Sequence, residues 1–201
     1  MNYQAILERI LVAVDTASYL TPSAHVDARQ RDAMALIAHQ IQAPDFDPAA
    51  TRALIRRFHT EGRIDEVMKL SALNVVAASP LVQDWEEAAR LAGEQELAAL
   101  RLGGPNLESN LASVDRHRGV LFFLQGSYEV ALDYFTRAFE RQRTAENIGN
   151  ILCTLVRLGE LAESSALVDQ VRSSFPSQLV DELDARIEAD PDLALLRTEA
   201  S

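Results

Sequence analysis

The stretch Gly119-Val120-Leu121-Phe122-Phe123-Leu124-Gln125-Gly126-Ser127-Tyr128-Glu129-Val130-Ala131-Leu132-Asp133-Tyr134-Phe135-Thr136-Arg137-Ala138 decides how the rest of the chain is read. Before Gly126, apolar residues recur at helical spacing through Leu107, Leu111, Val114, Leu121 and Leu124. After it they recur at Ala131, Phe135 and Ala138. A glycine between two such runs closes one helix and opens the next. Two antiparallel helices approach tightly only where small residues sit at the crossing. Gly119 and Ala131 supply them, and Phe122, Tyr128 and Phe135 fill the surrounding holes.

The pattern returns 33 residues downstream at Gly159, with the opening Asn147-Ile148-Gly149-Asn150 and the terminating Pro176. In this second copy Ser164 stands where the first has alanine, and Val168 and Val171 stand for Phe and Ala. Upstream, Leu54, Ile55, Phe58, Gly62, Ile64 and Val67 form a degenerate copy over about residues 47–79, from which Ser71 and Asn74 depart. Trp85, Ala88 and Ala89 begin another that Gly103-Gly104-Pro105 cuts short.

A small residue in the first helix, a glycine turn and then Tyr128, Ala131, Phe135 and Ala138 resemble a tetratricopeptide repeat. The resemblance covers residues 112–143 and 145–176. It implies an all-α fold of antiparallel hairpins stacked as a short right-handed superhelix. Leu179, Leu183 and Ile187 would form the C-terminal capping helix, before a last turn at Asp190-Pro191-Asp192. The expected organisation is a helical N-terminal region, 1–104, with one degenerate repeat. The repeats and capping helix follow in 105–201, and the whole forms one continuous domain.

The remaining segments also read as helices. Ile6, Ile10, Val14 and Ala17 share one face, and Met34, Ile37, Ala38 and Ile41 share another after the break at Thr21-Pro22-Ser23. Asp47 before Pro48 is an N-cap followed by proline at the first helical position. Gly62 and Ser79-Pro80 bound two further helices, and no alternating β-branched stretch is present.

A net charge of −11 and a pI near 4.8 argue against a general affinity for nucleic acid or anionic lipid. The basic residues are arginines apart from Lys69, a bias that reads as bacterial. Residues 1–20 contain Glu8, Arg9 and Asp15, and so lack a signal-peptide core; the run 119–124 is too short to span a bilayer. The expectation is a cytoplasmic protein without membrane insertion. Cys153, the single cysteine, excludes an internal disulfide and a Cys-based zinc cluster.

In a tetratricopeptide array the concave face is lined by the first helix of each hairpin. The resemblance therefore implies a partner-binding groove of Arg116, His117, Val120 and Phe123 from one helix and Asn150, Cys153 and Arg157 from the next. Asn150 and Arg116 would suit a carboxylate clamp, and the whole face suits a helix or extended peptide. The plainer alternative is a set of ordinary solvated residues. Arg52, Arg56, Arg57 and Arg63 could form a phosphate-binding strip, but Glu61, Asp65 and Glu66 favour ion pairs instead. His25, His39, His59 and His117 lack metal-ligand spacing, and Asp181, Glu182 and Asp184 are spaced as an exposed helix face. The expectation is a non-catalytic adaptor or chaperone-like module that binds a protein or peptide, with no cofactor, metal or nucleic acid. The alternative is a self-assembling scaffold subunit, a homo-oligomer.

Overall fold

The computed structural model describes residues 28–77 and 84–197. The expected helix of Ile6 to Ala17 and the break at Ser79-Pro80 lie outside the described residues. Among the described residues every regular element is helical, as the spacing predicted. The chain divides into two compact units, Met1–Asn110 and Leu111–Ser201. The division falls inside a helix, six residues beyond the 104/105 boundary expected from the Gly-Gly-Pro break.

The first unit contains α1 (Ala28–Ile41), α2 (Pro48–Thr60), α3 (Glu66–Ala77) and α4 (Trp85–Leu102). The Asp47 carboxylate accepts from the backbone N–H groups of Ala49 and Ala50 at 2.9 and 3.1 Å, with Pro48 at the first position of α2. Asp84 caps α4 in the same way, accepting from Glu86 and Glu87. The core of this unit joins Ala33 and Ile37 of α1, Ile55 and Phe58 of α2, Leu73 of α3 and Leu91 of α4. The i, i+3 and i, i+4 spacing read from the sequence thus faces inward, except at Val67, which is 57% exposed.

α5 (Leu107–Leu124) runs through the division and leads into α6 (Tyr128–Arg141), α7 (Ala145–Leu158), α8 (Leu161–Ser174) and α9 (Ser177–Ala189). A 3-10 helix, Pro191–Arg197, follows. Gly126 and Gly159 take the left-handed φ angles of 76° and 84° that the tight helix exits require. At the α5–α6 crossing, a methyl group on Gly119 would stand 2.6 Å from Cδ1 and Cε1 of Phe135. Glycine is therefore what lets the Phe135 ring lie against α5, beside the buried Ala131 and Ala138. Phe122 stacks on Tyr134 with ring centroids 5.4 Å apart.

Ser164, the departure in the second hairpin, is buried and donates to the Glu160 carbonyl at 2.9 Å, so its hydroxyl costs the packing little. The joint between the hairpins rests on Asn147, whose buried amide donates to the carbonyls of Ala138 at 3.2 Å and Gln142 at 2.8 Å. The Ala138 carbonyl also accepts the Gln142 N–H at 2.9 Å, so the amide is its second donor, while the Gln142 carbonyl lies just beyond α6 and has no helical N–H ahead of it. The core of this unit is Ile148, Leu152, Val168, Val171, Leu183, Ile187 and Leu193.

Candidate binding site

On α5, the four expected groove residues part company. Arg116 is half-buried and pairs through Nη1 with Glu146 Oε2 at 2.7 Å, joining α5 to α7. Val120 is half-buried one turn further along. Phe123 is buried, its ring set edge-on to Tyr128 at 5.3 Å between centroids. It belongs to the packing of the hairpin and does not form an open face. His117 is half-buried, and desolvation, followed by the charge of Arg116, pulls its pKa down to about 3. Its imidazole is neutral at neutral pH.

On α7, Asn150 is half-buried one turn beyond Glu146, and its backbone carbonyl accepts the Thr154 hydroxyl at 2.7 Å. The other two residues are covered by the end of the chain. The Cys153 thiol donates to Asp190 Oδ2 at 3.9 Å, and Arg157 Nη2 pairs with Asp192 Oδ1 at 2.9 Å. Arg197 returns to the carbonyls of Ile187 and Asp190 and holds the turn closed, while Leu193 is fully buried. Burial first, then the Asp190 and Asp192 charges, push the Cys153 thiol up to about 12, with Arg186 and Arg157 opposing. Cys153 is a protonated thiol at neutral pH, not a nucleophile.

Three charged assemblies connect residues far apart in sequence. Asp115, buried on α5, accepts from Arg137 Nη2 at 2.8 Å and Arg141 Nε at 3.0 Å, both on α6. In the first unit Arg52 forks onto Glu87 through Nε and Nη2 and reaches Glu94 through Nη1 at 2.6 Å. The Glu87 bond raises the Arg52 pKa, burial opposes it and Glu94 adds to the rise. Arg56 also meets Glu94, at 3.1 Å, and Arg57 and Arg63 lie 3.8 and 3.9 Å from Glu61. Each arginine of the strip considered for phosphate therefore has a carboxylate beside it. Glu66 likewise gathers His59 at 2.7 Å, Lys69 at 3.1 Å and Arg101 at 3.9 Å. Arg57–Glu61 and Lys69–Glu66 are i, i+4 and i, i+3 neighbours, but the partners of Arg52 and Arg101 lie on other elements, for which periodicity along one helix carries no signal.

Among the described residues no group of three or more His, Cys, Asp or Glu could hold a metal ion, and no helix is long and apolar enough to cross a membrane.

No family model matches the chain, and no solved structure matches it. The chain is similar to part of the DNA mismatch repair protein MutS of Zymomonas mobilis, with 33% identity over 116 residues. That is 55% of this chain, and the matched segment spans 13% of the length of the MutS protein.

Proposed function

We propose that the chain is a non-catalytic adaptor built of tetratricopeptide-like hairpins, which binds a protein or peptide along α5 and α7. The observation that carries this reading is the Arg116–Glu146 pair, which links the two helices. One turn beyond each partner stand Val120 and Asn150, both half-buried. This strip offers an apolar contact, an amide and an ion pair, a combination that suits a peptide with its own backbone donors and acceptors. The binding strip is thus narrower than the sequence implied: Arg116, Val120, Glu146 and Asn150. His117 and Cys153, the side chains best suited to acid–base or nucleophilic work, are held in unreactive forms, which supports a binding role.

The test is affinity capture from the native host with the wild type, Val120→Glu and Asn150→Arg, each first shown to keep its helical content. Loss of the same partner in both variants is the expected result. Retention of every partner by both would overturn the assignment.

The likeness to a segment of MutS favours a second reading, in which the partner belongs to DNA mismatch repair. The charge of −11 favours a protein component over DNA itself. Co-precipitation with mismatch-repair proteins of the host, and titration against a mismatched duplex at several salt concentrations, separate these outcomes.

A further inference from the structure

The outer face of α4 is apolar and has no partner among the described residues. Leu97 and Leu100, 54% and 53% exposed, follow Gly93 by four and seven positions, with exposed Ala89 one turn before it. Gly93 lacks an internal reason to be glycine. It lies mid-helix with ordinary negative φ, and a Cβ added there would meet nothing within 4 Å. Glycine weakens a helix at such a position, so its use points outward, to an open hollow between exposed apolar neighbours.

We infer that this face pairs with the α4 of a second copy of the chain, antiparallel and about a two-fold axis between Gly93 and Leu97. The face is self-complementary in that orientation: each Leu97 fills the hollow at the partner's Gly93. A small residue at the crossing lets two helix axes approach to about 8 Å. Charge selects the same direction. Glu86, 76% exposed and paired with Arg90 at 2.6 Å, lies at the start of α4, and Arg101, 62% exposed and 3.9 Å from Glu66, at its end. Antiparallel pairing brings Glu86 of each copy within about a turn of Arg101 of the other, whereas parallel pairing sets like charges together. α4 has 18 residues, about 27 Å of helix, so the contact is small and the dimer weak, with a Kd on the order of tens of micromolar. The inference does not depend on the adaptor reading.

Sedimentation equilibrium of the full chain from about 5 to about 500 µM tests it, because a contact of this size dissociates within that range. The wild type should pass from monomer to dimer. Leu97→Arg, which places like charges across the axis, should weaken association at least about tenfold. Gly93→Leu should weaken it comparably while circular dichroism and the urea midpoint show an undiminished fold, because the added side chain enters open space. Glu86→Lys should weaken it about threefold, and Glu86→Lys combined with Arg101→Glu should restore it. A wild type that stays monomeric throughout overturns the inference, as does a dimer indifferent to both Leu97→Arg and Gly93→Leu. A monomer that Leu97→Arg destabilises would show that another part of the same chain covers the face. A monomer from which that variant strips a host protein would show a different partner. Either result also overturns self-pairing.

Discussion

Replacing Gly119 with alanine adds one methyl group to the middle of α5, and two effects of opposite sign follow. Helix propensity alone would stabilise the chain by about 1 kcal/mol. Against it, the methyl would stand 2.6 Å from two ring atoms of Phe135 and 3.0 Å from a third. Comfortable carbon–carbon contact is about 3.5–4.0 Å, so the ring would have to withdraw by about 1 Å. Phe135 is only 2% exposed and stands among Gly119, Ala131 and Ala138, so room to withdraw is scarce. Overpacking of this kind costs about 1–3 kcal/mol. The net expectation is a loss of about 1 kcal/mol, and no more than about 2. Gly93→Ala is the internal control: with nothing within 4 Å of the new atom, only the propensity gain of about 1 kcal/mol remains. Urea denaturation followed by far-UV circular dichroism, at low protein concentration and with m unchanged, should move the two midpoints in opposite directions. In a double-mutant cycle, Phe135→Leu should make Gly119→Ala cheaper than it is alone. A Gly119→Ala chain stabilised as much as Gly93→Ala would refute the close-packing account of the α5–α6 crossing.

Three further expectations concern charge. The unfolded chain takes up a proton at His117 below about pH 6.5, which the folded chain refuses until about pH 3, so stability falls as pH drops through that window. The slope is at most about 1.4 kcal/mol per pH unit, and His117→Asn should flatten that part of a urea-midpoint profile; an unchanged profile would contradict it. Arg52→Met strips buried Glu87 of its fork, leaving Arg90 at 3.6 Å, and should cost about 2–4 kcal/mol. Adding Glu87→Gln should recover part of that loss in thermal denaturation. Cys153 should react with a thiol reagent at pH 8 at least about a hundredfold more slowly in the native chain than in urea. Equal rates would show that the Asp190–Asp192 turn does not cover it.

The helices were legible because their signals are local. Gly126 and Gly159 end helices at positive φ, and Asp47-Pro48 starts one by capping. The α5–α6 crossing at Gly119 was legible too, although the sequence set Ala131 opposite it and Phe135 in a surrounding hole, and it is the Phe135 ring that lies against Gly119. The local ion pairs of Glu61 and Glu66 were legible, but those between helices were not: Arg52 and Glu87 are 35 residues apart, and nothing in the spacing of either helix points to the other. Phe123 was expected to line a groove because it shares a helix with Arg116 and His117. Its burial depends on where the Tyr128 ring lies, which the period of one helix does not specify. Cys153 and Arg157 read as open for a related reason. The turn that covers them starts 33 residues after Arg157, at Asp190, and Arg197 and buried Leu193 hold it in place.

The joint at Asn147 has a chemical frailty. Its amide group donates two hydrogen bonds to carbonyl oxygens, and only a side chain with two protons on one terminal atom can do so. Hydrolysis of that amide to a carboxylate would remove both donors and aim a negative charge at the same two oxygens. One spontaneous ageing reaction at one buried nitrogen would therefore turn the clasp between the hairpins into a repulsion. Helical backbone and burial hinder that hydrolysis, so the joint protects the very group on which it depends. An old preparation that had been partly unfolded in storage should carry the added mass of one dalton at this residue, and its α6–α7 turn should exchange amide protons faster than that of fresh protein.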